Sequence, residues 1–401
     1  MDILFYVISF IFLLALIFRG KAEFSTIIFV GLVLRLAILF VDLNHIFPIL
    51  HSGADTEAFH RIAMYNQYGL KELKLTNYTV FLTWLYSIFL NSSPRMVAQF
   101  INVIFGVGVI LIIRRCLTMF QITYKIKKRI MMLVSFMPNM IIFSAILLRE
   151  AWVEFFCVLS VFFFLRWFFS RGNALLNMLL SIVCVFIAAY MHAGVIGLGL
   201  GYLITYTMYS PKAMKVKITF YTFLSIAMAI GVVAFFLANI NMVGGKFAGV
   251  EMSDEYIAEE LTTAGSKGGS NYMSWLNTSS PIVGLVTLPL RMIFFLFSPI
   301  PPYMRGLGDL FAFVCDGFIY MYLMWHIIRA KPQNRAMKRL RDFLLVSVLV
   351  TTAIFSLGTN TAGTAIRHRA KYLSVILVAY GATRSMQDKY GKTQIKKIWQ
   401  K

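Results

Sequence analysis

Apolar runs bounded by polar or basic residues recur along the whole chain, from Ile3–Phe18 to the segment that begins after Lys371. Many approach the roughly 20 residues a helix needs to cross a hydrocarbon core. A segment in lipid must satisfy its own backbone, so runs of this kind read as helices. The short alternating segments of a transmembrane barrel are absent. The pattern therefore predicts an all-α polytopic membrane protein, with crossings that include 3–18, 24–41, 97–113, 130–147, 150–167, 342–357 and 372–384.

Basic residues orient the crossings. Arg114 to Arg129 holds six Lys or Arg and no acid, Arg329 to Arg341 six more, and Arg384 to Lys401 six again. With Arg19/Lys21, Arg166/Arg171 and Lys212/Lys215/Lys217, these groups take 25 of the 38 Lys and Arg. Cytoplasmic loops carry such an excess. Keeping all of them inside leaves two apolar segments that do not cross. Val80–Leu90 is too short to span, and "LPLRMIFFLFSPIPP" carries Arg291 between prolines. Both are expected as re-entrant or interfacial helices. About eleven crossings result, the N-terminus outside and the C-terminus cytoplasmic, in one integral domain over 1–401. The outer loops are 42–78, 241–283 and 358–371. The first segment lacks a basic leader and a small-residue cleavage site, so it is read as a retained helix.

Composition agrees. Of 401 residues 59% are hydrophobic and 14% charged, against about a quarter charged in soluble domains. The net charge of +21 is assigned to cytoplasmic loops, and no nucleic-acid partner is expected. Cys116, Cys157, Cys184 and Cys315 lie in or beside apolar runs without metal-ligand spacing.

Charges that the orienting rule does not explain gather on the expected outer side. In "GADTEAFHRIA" Asp55 stands where a helix N-cap is expected, and Glu57 would turn away from it on the helix. His51, His60 and Arg61 lie near the same edge. In "SAILLREAWVE" Arg149 and Glu150 mark a membrane boundary, with Glu154 one turn deeper, and Pro138 is expected to kink the helix before them. A local Arg149–Glu150 pair is the structural reading of that turn. His192 sits in "YMHAG". Arg305 and Asp309 follow the Arg291 segment, with Asp316 seven residues on along the same helix face. Arg35 has Asp42 seven residues on; the pattern there is a structural ion pair with a neighbouring helix. The segment "GTAIRHRAKY" puts Arg367, His368, Arg369 and Lys371 within five positions, a cluster suited to phosphate or pyrophosphate. The loop 241–283 joins an acidic, helix-like half to a Gly- and Ser-rich half, a lid over a substrate or a solvated loop. The His and carboxylate spacings match no strong metal set, so no metal ligand is assigned; a divalent metal stays open.

A carboxylate, a basic phosphate-sized site and a membrane setting together suit glycosyl transfer from a lipid (pyro)phosphate. The carboxylate takes the acceptor's proton and the cations stabilise the leaving phosphate.

The order of features resembles the GT-C class of integral membrane glycosyltransferases. "GADTEAFHRIA" is similar to the acidic first-outer-loop motif of that class, and "MPNMIIFSAILLREAWVEFFCVLSVFFFLRW" to helices that follow it. "FSPIPPYMRGLGD" and "GTAIRHRAKY" resemble motifs of Wzy-like or EpsG-like polysaccharide repeat-unit polymerases. The resemblance implies a bacterial inner-membrane enzyme that polymerises undecaprenyl-(pyro)phosphate-linked oligosaccharides at the extracytoplasmic face, working beside a flippase and a chain-length regulator. It implies Asp55, with Glu57 or Glu150, as the acidic catalytic residue. Arg149, Arg291, Arg305, Arg367, His368, Arg369 and Lys371 would hold the diphosphate and orient sugars, with His51, His60, Arg61, His192 and Asp309 nearby. Two alternatives remain: a transferase of single sugars from polyprenyl phosphate, and a lipid-linked glycan flippase or transporter. A third, an acyltransferase built on His192 or His326, lacks a supporting His–Asp spacing.

Overall fold

The computed structural model describes residues 2–49, 54–67, 76–89, 93–120, 122–238, 272, 281–332, 334–359 and 361–385. The position His51 and nearly all of the 241–283 loop, including its acidic helix-like half, lie outside these residues. The described chain is helical apart from one two-stranded hairpin, in which Tyr209 pairs with Val216.

The helices are α1 Asp2–Phe18, α2 Ala22–Leu43, α3 Ala54–Gln67, α4 Asn77–Ile88, α5 Pro94–Thr118, α6 Tyr124–Phe136, α7 Pro138–Phe143, α8 Glu150–Phe168, α9 Ala174–Met191, α10 Ile196–Met208, α11 Phe220–Ala238 and α12 Pro281–Phe297. They continue with α13 Leu307–Arg329, which contains a π-turn at Phe313–Gly317, then α14 Arg335–Leu357, α15 Ala362–Ala370 and α16 Leu373–Thr383. Among the described residues six helices are long and apolar enough to cross a membrane: α2, α5, α8, α9, α13 and α14. Leu175, Leu179, Val183 and Phe186 of α9 are exposed, an apolar face that suits lipid as solvent.

Two expectations change here. The crossing at 130–147 is two helices, because Met137 is extended ahead of Pro138 and residues 144–149 leave the helix. Proline lacks the N–H that would reach Val134 and disfavours helix at the residue before it. The freed carbonyls find a donor in Arg35. Its Nη1 donates to Ser135 O at 3.2 Å and Gly31 O at 2.9 Å, and its Nε donates to Ser144 Oγ at 2.8 Å. Arg35 thus closes a broken helix, with Glu154 of the neighbouring α8 within electrostatic reach. The second change concerns 358–371. Within it Ala362–Ala370 form the largely buried helix α15, followed by a turn at Lys371 and Tyr372 and the buried α16.

Small residues let the backbones approach. A Cβ on Gly201 of α10 would lie 2.4 Å from Ser347 Cα of α14, and one on Gly197 2.6 Å from Thr351 Cα. This is the small-xxx-small contact common between membrane helices. Gly201→Ala is expected to lower stability by about 1–3 kcal/mol through overpacking. Gly231→Ala, where nothing lies within 4 Å, should be neutral or stabilising. Denaturant unfolding in detergent micelles compares the two; equal midpoints would remove the packing argument.

Candidate functional site

Five of the six long helices bring the same end to one cluster of charge. The C-terminal ends of α2, α9 and α14 meet the N-terminal ends of α5 and α8 there, closed over by α3 and α15.

The helix α3 begins at Ala54, so Asp55 lies in its first turn and not at the cap expected for it. Residues two apart on a helix point to opposite sides. Asp55 turns to Arg367 Nη1 of α15, and Glu57 turns to Arg95 Nη1 of α5 at 2.8 Å. Each first-turn carboxylate also sits favourably at the positive end of the helix dipole.

Arg367 joins Asp55 to α8. Its Nε and Nη2 donate to Glu150 Oε1 at 3.2 and 3.0 Å. Lys371, one turn along from Arg367 on the same face, donates to that oxygen at 3.2 Å. Exposure falls along this chain, from 25% of the Asp55 side chain to 11% for Arg367, 3% for Glu150 and 0% for Lys371. Charges so deep are costly unless paired, and each of these is paired. Glu150 therefore answers Arg367 and Lys371 rather than Arg149. Arg149, at the N-terminus of α8, donates to Met191 O at 3.1 Å and lies within electrostatic reach of Glu150, Arg367 and Asp55.

The basic run does not form one cradle. Arg369 points away from Arg367, is fully buried, pairs with Asp316 and donates to Phe295 O and Leu296 O at 3.0 and 3.1 Å. It closes the C-terminus of α12. Asp316 lies in the π-turn of α13 and also accepts from Asn139 Nδ2 at 2.8 Å. Gly317 beside it permits that approach, since a Cβ there would be 2.6 Å from Phe297 O. The π-turn also separates Asp316 from the expected face shared with Asp309. His368 faces His192, Nε2 to Nε2 at 3.2 Å, and its Nδ1 meets Thr359 Oγ1 at 3.0 Å.

The other expected residues divide. Arg291 is buried on α12, with no hydrogen-bond partner for its Nε among the described residues. Arg305 is exposed, and its backbone N–H donates to Asp309 Oδ2 at 3.0 Å, outside the cluster. His60 meets Tyr86 Oη through Nδ1 at 3.0 Å, and Arg61 is exposed on the same helix. Burial, and next the charge of Arg95, hold the His60 imidazole below its ordinary pKa.

The reading of residues passed over Arg95 and Gln99. Arg95 Nη2 lies 3.2 Å from Asp42 Oδ2, which also accepts from Gln99 Nε2 at 2.6 Å. Asn102, next on that face, donates to Ile146 O and Leu148 O in the non-helical segment after α7. The spacing of Arg95, Gln99 and Asn102, four and then three residues, is a polar stripe on an apolar helix. That signal was present in the sequence.

Among the described residues no group of three or more His, Cys, Asp or Glu side chains is placed to hold a metal ion. No family model, curated protein or solved structure matches this chain.

Arg369 is a structural cation by this geometry and Arg305 a surface one. Arg369→Ala should cost about 3–5 kcal/mol, because it strands Asp316 in the interior. Arg305→Ala should change stability by less than about 0.5 kcal/mol. Thermal unfolding of both variants in the same detergent checks the contrast, which fails if they melt together.

Proposed function

We propose that this protein is a membrane glycosyltransferase that uses polyprenyl (pyro)phosphate-linked sugars at the extracytoplasmic face, and that it polymerises repeat units of a bacterial surface polysaccharide. The observation that carries the reading is the Arg367 fork, which holds Asp55 and Glu150 across 312 and 217 residues of sequence at one end of the helices. The opposite ends carry the basic groups, among them Arg114 and Arg115 at the end of α5 and Arg335 at the start of α14. Under the positive-inside rule the cluster end is then extracytoplasmic. The eleven crossings and the GT-C likeness belong to this proposal.

The chemistry follows from the exposure gradient. An arriving phosphate competes for Arg367 with Asp55, the more exposed of its two carboxylates. Arg forks bind phosphate with two charge-assisted hydrogen bonds. Glu150 keeps Lys371 and stays in place. Asp55, released, accepts the proton of the acceptor hydroxyl as that oxygen attacks the anomeric carbon. The bond from that carbon to the phosphate oxygen breaks, its electron pair leaves with the phosphate, and Arg367, Lys371 and Arg149 stabilise the new charge. A resting Asp55 held by Arg367 is a poor base, which limits transfer to water. The carboxylate–cation contacts around Arg367 and Arg95 gather at one end, which favours this reading over a transporter, whose path needs polar groups through the full depth.

Reconstitution with lipid-linked repeat units tests the reaction. Asp55→Asn should lower turnover by about 10²–10⁴-fold, and Arg367→Ala should abolish polymer, both in protein that still folds. Full polymer from both variants refutes the assignment. Cysteine labelling tests the sidedness: a cysteine at Arg305 should react from outside and one at Lys125 only from within. Three of the four native cysteines are buried, which keeps the background low.

A further inference from the structure

The second charged centre, around Arg95, differs in kind from the first. Among the described residues two carboxylates, Asp42 and Glu57, face the single guanidinium of Arg95. A phosphate would meet both carboxylates there and be repelled. The centre also holds two buried polar atoms without hydrogen-bond partners among the described residues, Arg95 Nε and Gln99 Oε1. Arg95 is 8% exposed and Gln99 0%. Native interiors rarely leave such groups unmet, and each one calls for a ligand or a water.

The donor and acceptor inventory defines what would satisfy them. Gln99 Oε1 needs an O–H donor, and Arg95 Nε needs an acceptor. A hydroxyl supplies both, and no net charge is required of the ligand. Side-chain exposure falls from 33% at Glu57 to 10% at Arg95 and 4% at Asp42. Arg95 and Gln99 are one turn apart on α5, so one ligand group held at that face would meet both. The two centres also flank one turn of α3: Asp55 faces the cationic side and Glu57 the carboxylate-rich side.

We infer that Arg95, Gln99 and Glu57, backed by Asp42, form a subsite for the hydroxyls of a neutral sugar, the acceptor. Its assignment to the acceptor rests on the glycosyl-transfer reading; its affinity for a polyhydroxyl ligand does not. An acceptor held there reaches Asp55 only by extending around the first turn of α3, on whose other side the phosphate of the donor binds. His60, hydrogen-bonded to Tyr86 within the field of Arg95 and Glu57, braces the near wall as a positioning residue.

The test uses the full-length protein in nanodiscs with two probes: inorganic pyrophosphate, and lipid-free oligosaccharide cut from the surface polysaccharide of the host. Arg95→Lys keeps the charge beside Asp42 and removes the planar fork, while Gln99→Met keeps length and removes the acceptor atom. Both should weaken oligosaccharide binding, read by saturation-transfer NMR, by about tenfold or more, the loss expected when a site built for hydroxyls loses its partners. Both should leave pyrophosphate affinity unchanged, and Arg367→Gln should show the reverse. With lipid-linked substrates the two Arg95-centre variants should raise acceptor KM more than they lower kcat. Unchanged oligosaccharide binding in both folded variants, or its absence in the wild type, overturns the subsite and leaves water as the partner of the two atoms. Pyrophosphate binding lost together with oligosaccharide binding overturns it too. Oligosaccharide binding that the variants lose, in a wild type that transfers no sugar, supports the subsite and sinks the glycosyltransferase reading. Transfer whose acceptor KM the variants do not change does the opposite.

Discussion

The Arg367 guanidinium is the interaction on which the rest of the site depends. It holds the first turn of α3 through Asp55 and the start of α8 through Glu150, and its helix neighbour Lys371 shares the second contact. In water such pairs are worth little. Here Glu150 and Lys371 are almost wholly buried, so a missing partner would leave an uncompensated charge in the interior. That penalty, more than the attraction itself, fixes where α3, α8 and α15 must sit.

Broken helices make the arrangement feasible. Met137 and Pro138 interrupt one apolar segment, the turn at Lys371 and Tyr372 interrupts another, and the π-turn around Asp316 distorts a third. Each break frees backbone groups that cannot stay unmet in an apolar interior. Arginine serves the first, Arg35 at the end of α6, and Arg369 does the same at the C-terminal end of α12. Several of the cations in this chain thus answer its own backbone, and geometry separates these from the ones that meet only side-chain acids. Arg367 has one partly exposed acid among its partners, whereas Arg369 has helix carbonyls and a buried acid.

The two centres on either side of α3 are opposite in character because residues two apart on a helix face opposite ways. Among the described residues Asp55 meets Arg367, with Lys371 and Arg149 close by, and Glu57 meets Arg95, which is shared with Asp42. A phosphate and a sugar need just such different surroundings.

The sequence by itself determined the helical class, most helix positions, the helical run after Asp55 and the divergence of Asp55 from Glu57, because hydrophobic runs and helical period are local properties. It also marked Asp55, Glu150, Arg367 and Lys371 as residues of interest, since ionisable groups beside apolar runs are rare and visible. Only the tertiary structure decided their partners. Arg149 and Glu150 are adjacent yet do not pair, Arg35 serves the backbone of a broken helix, and four neighbouring basic residues disperse to Glu150, His192 and Asp316. A buried charge takes whichever opposite charge or free carbonyl the packing brings near, and packing joins segments more than 200 residues apart. No local pattern encodes that choice.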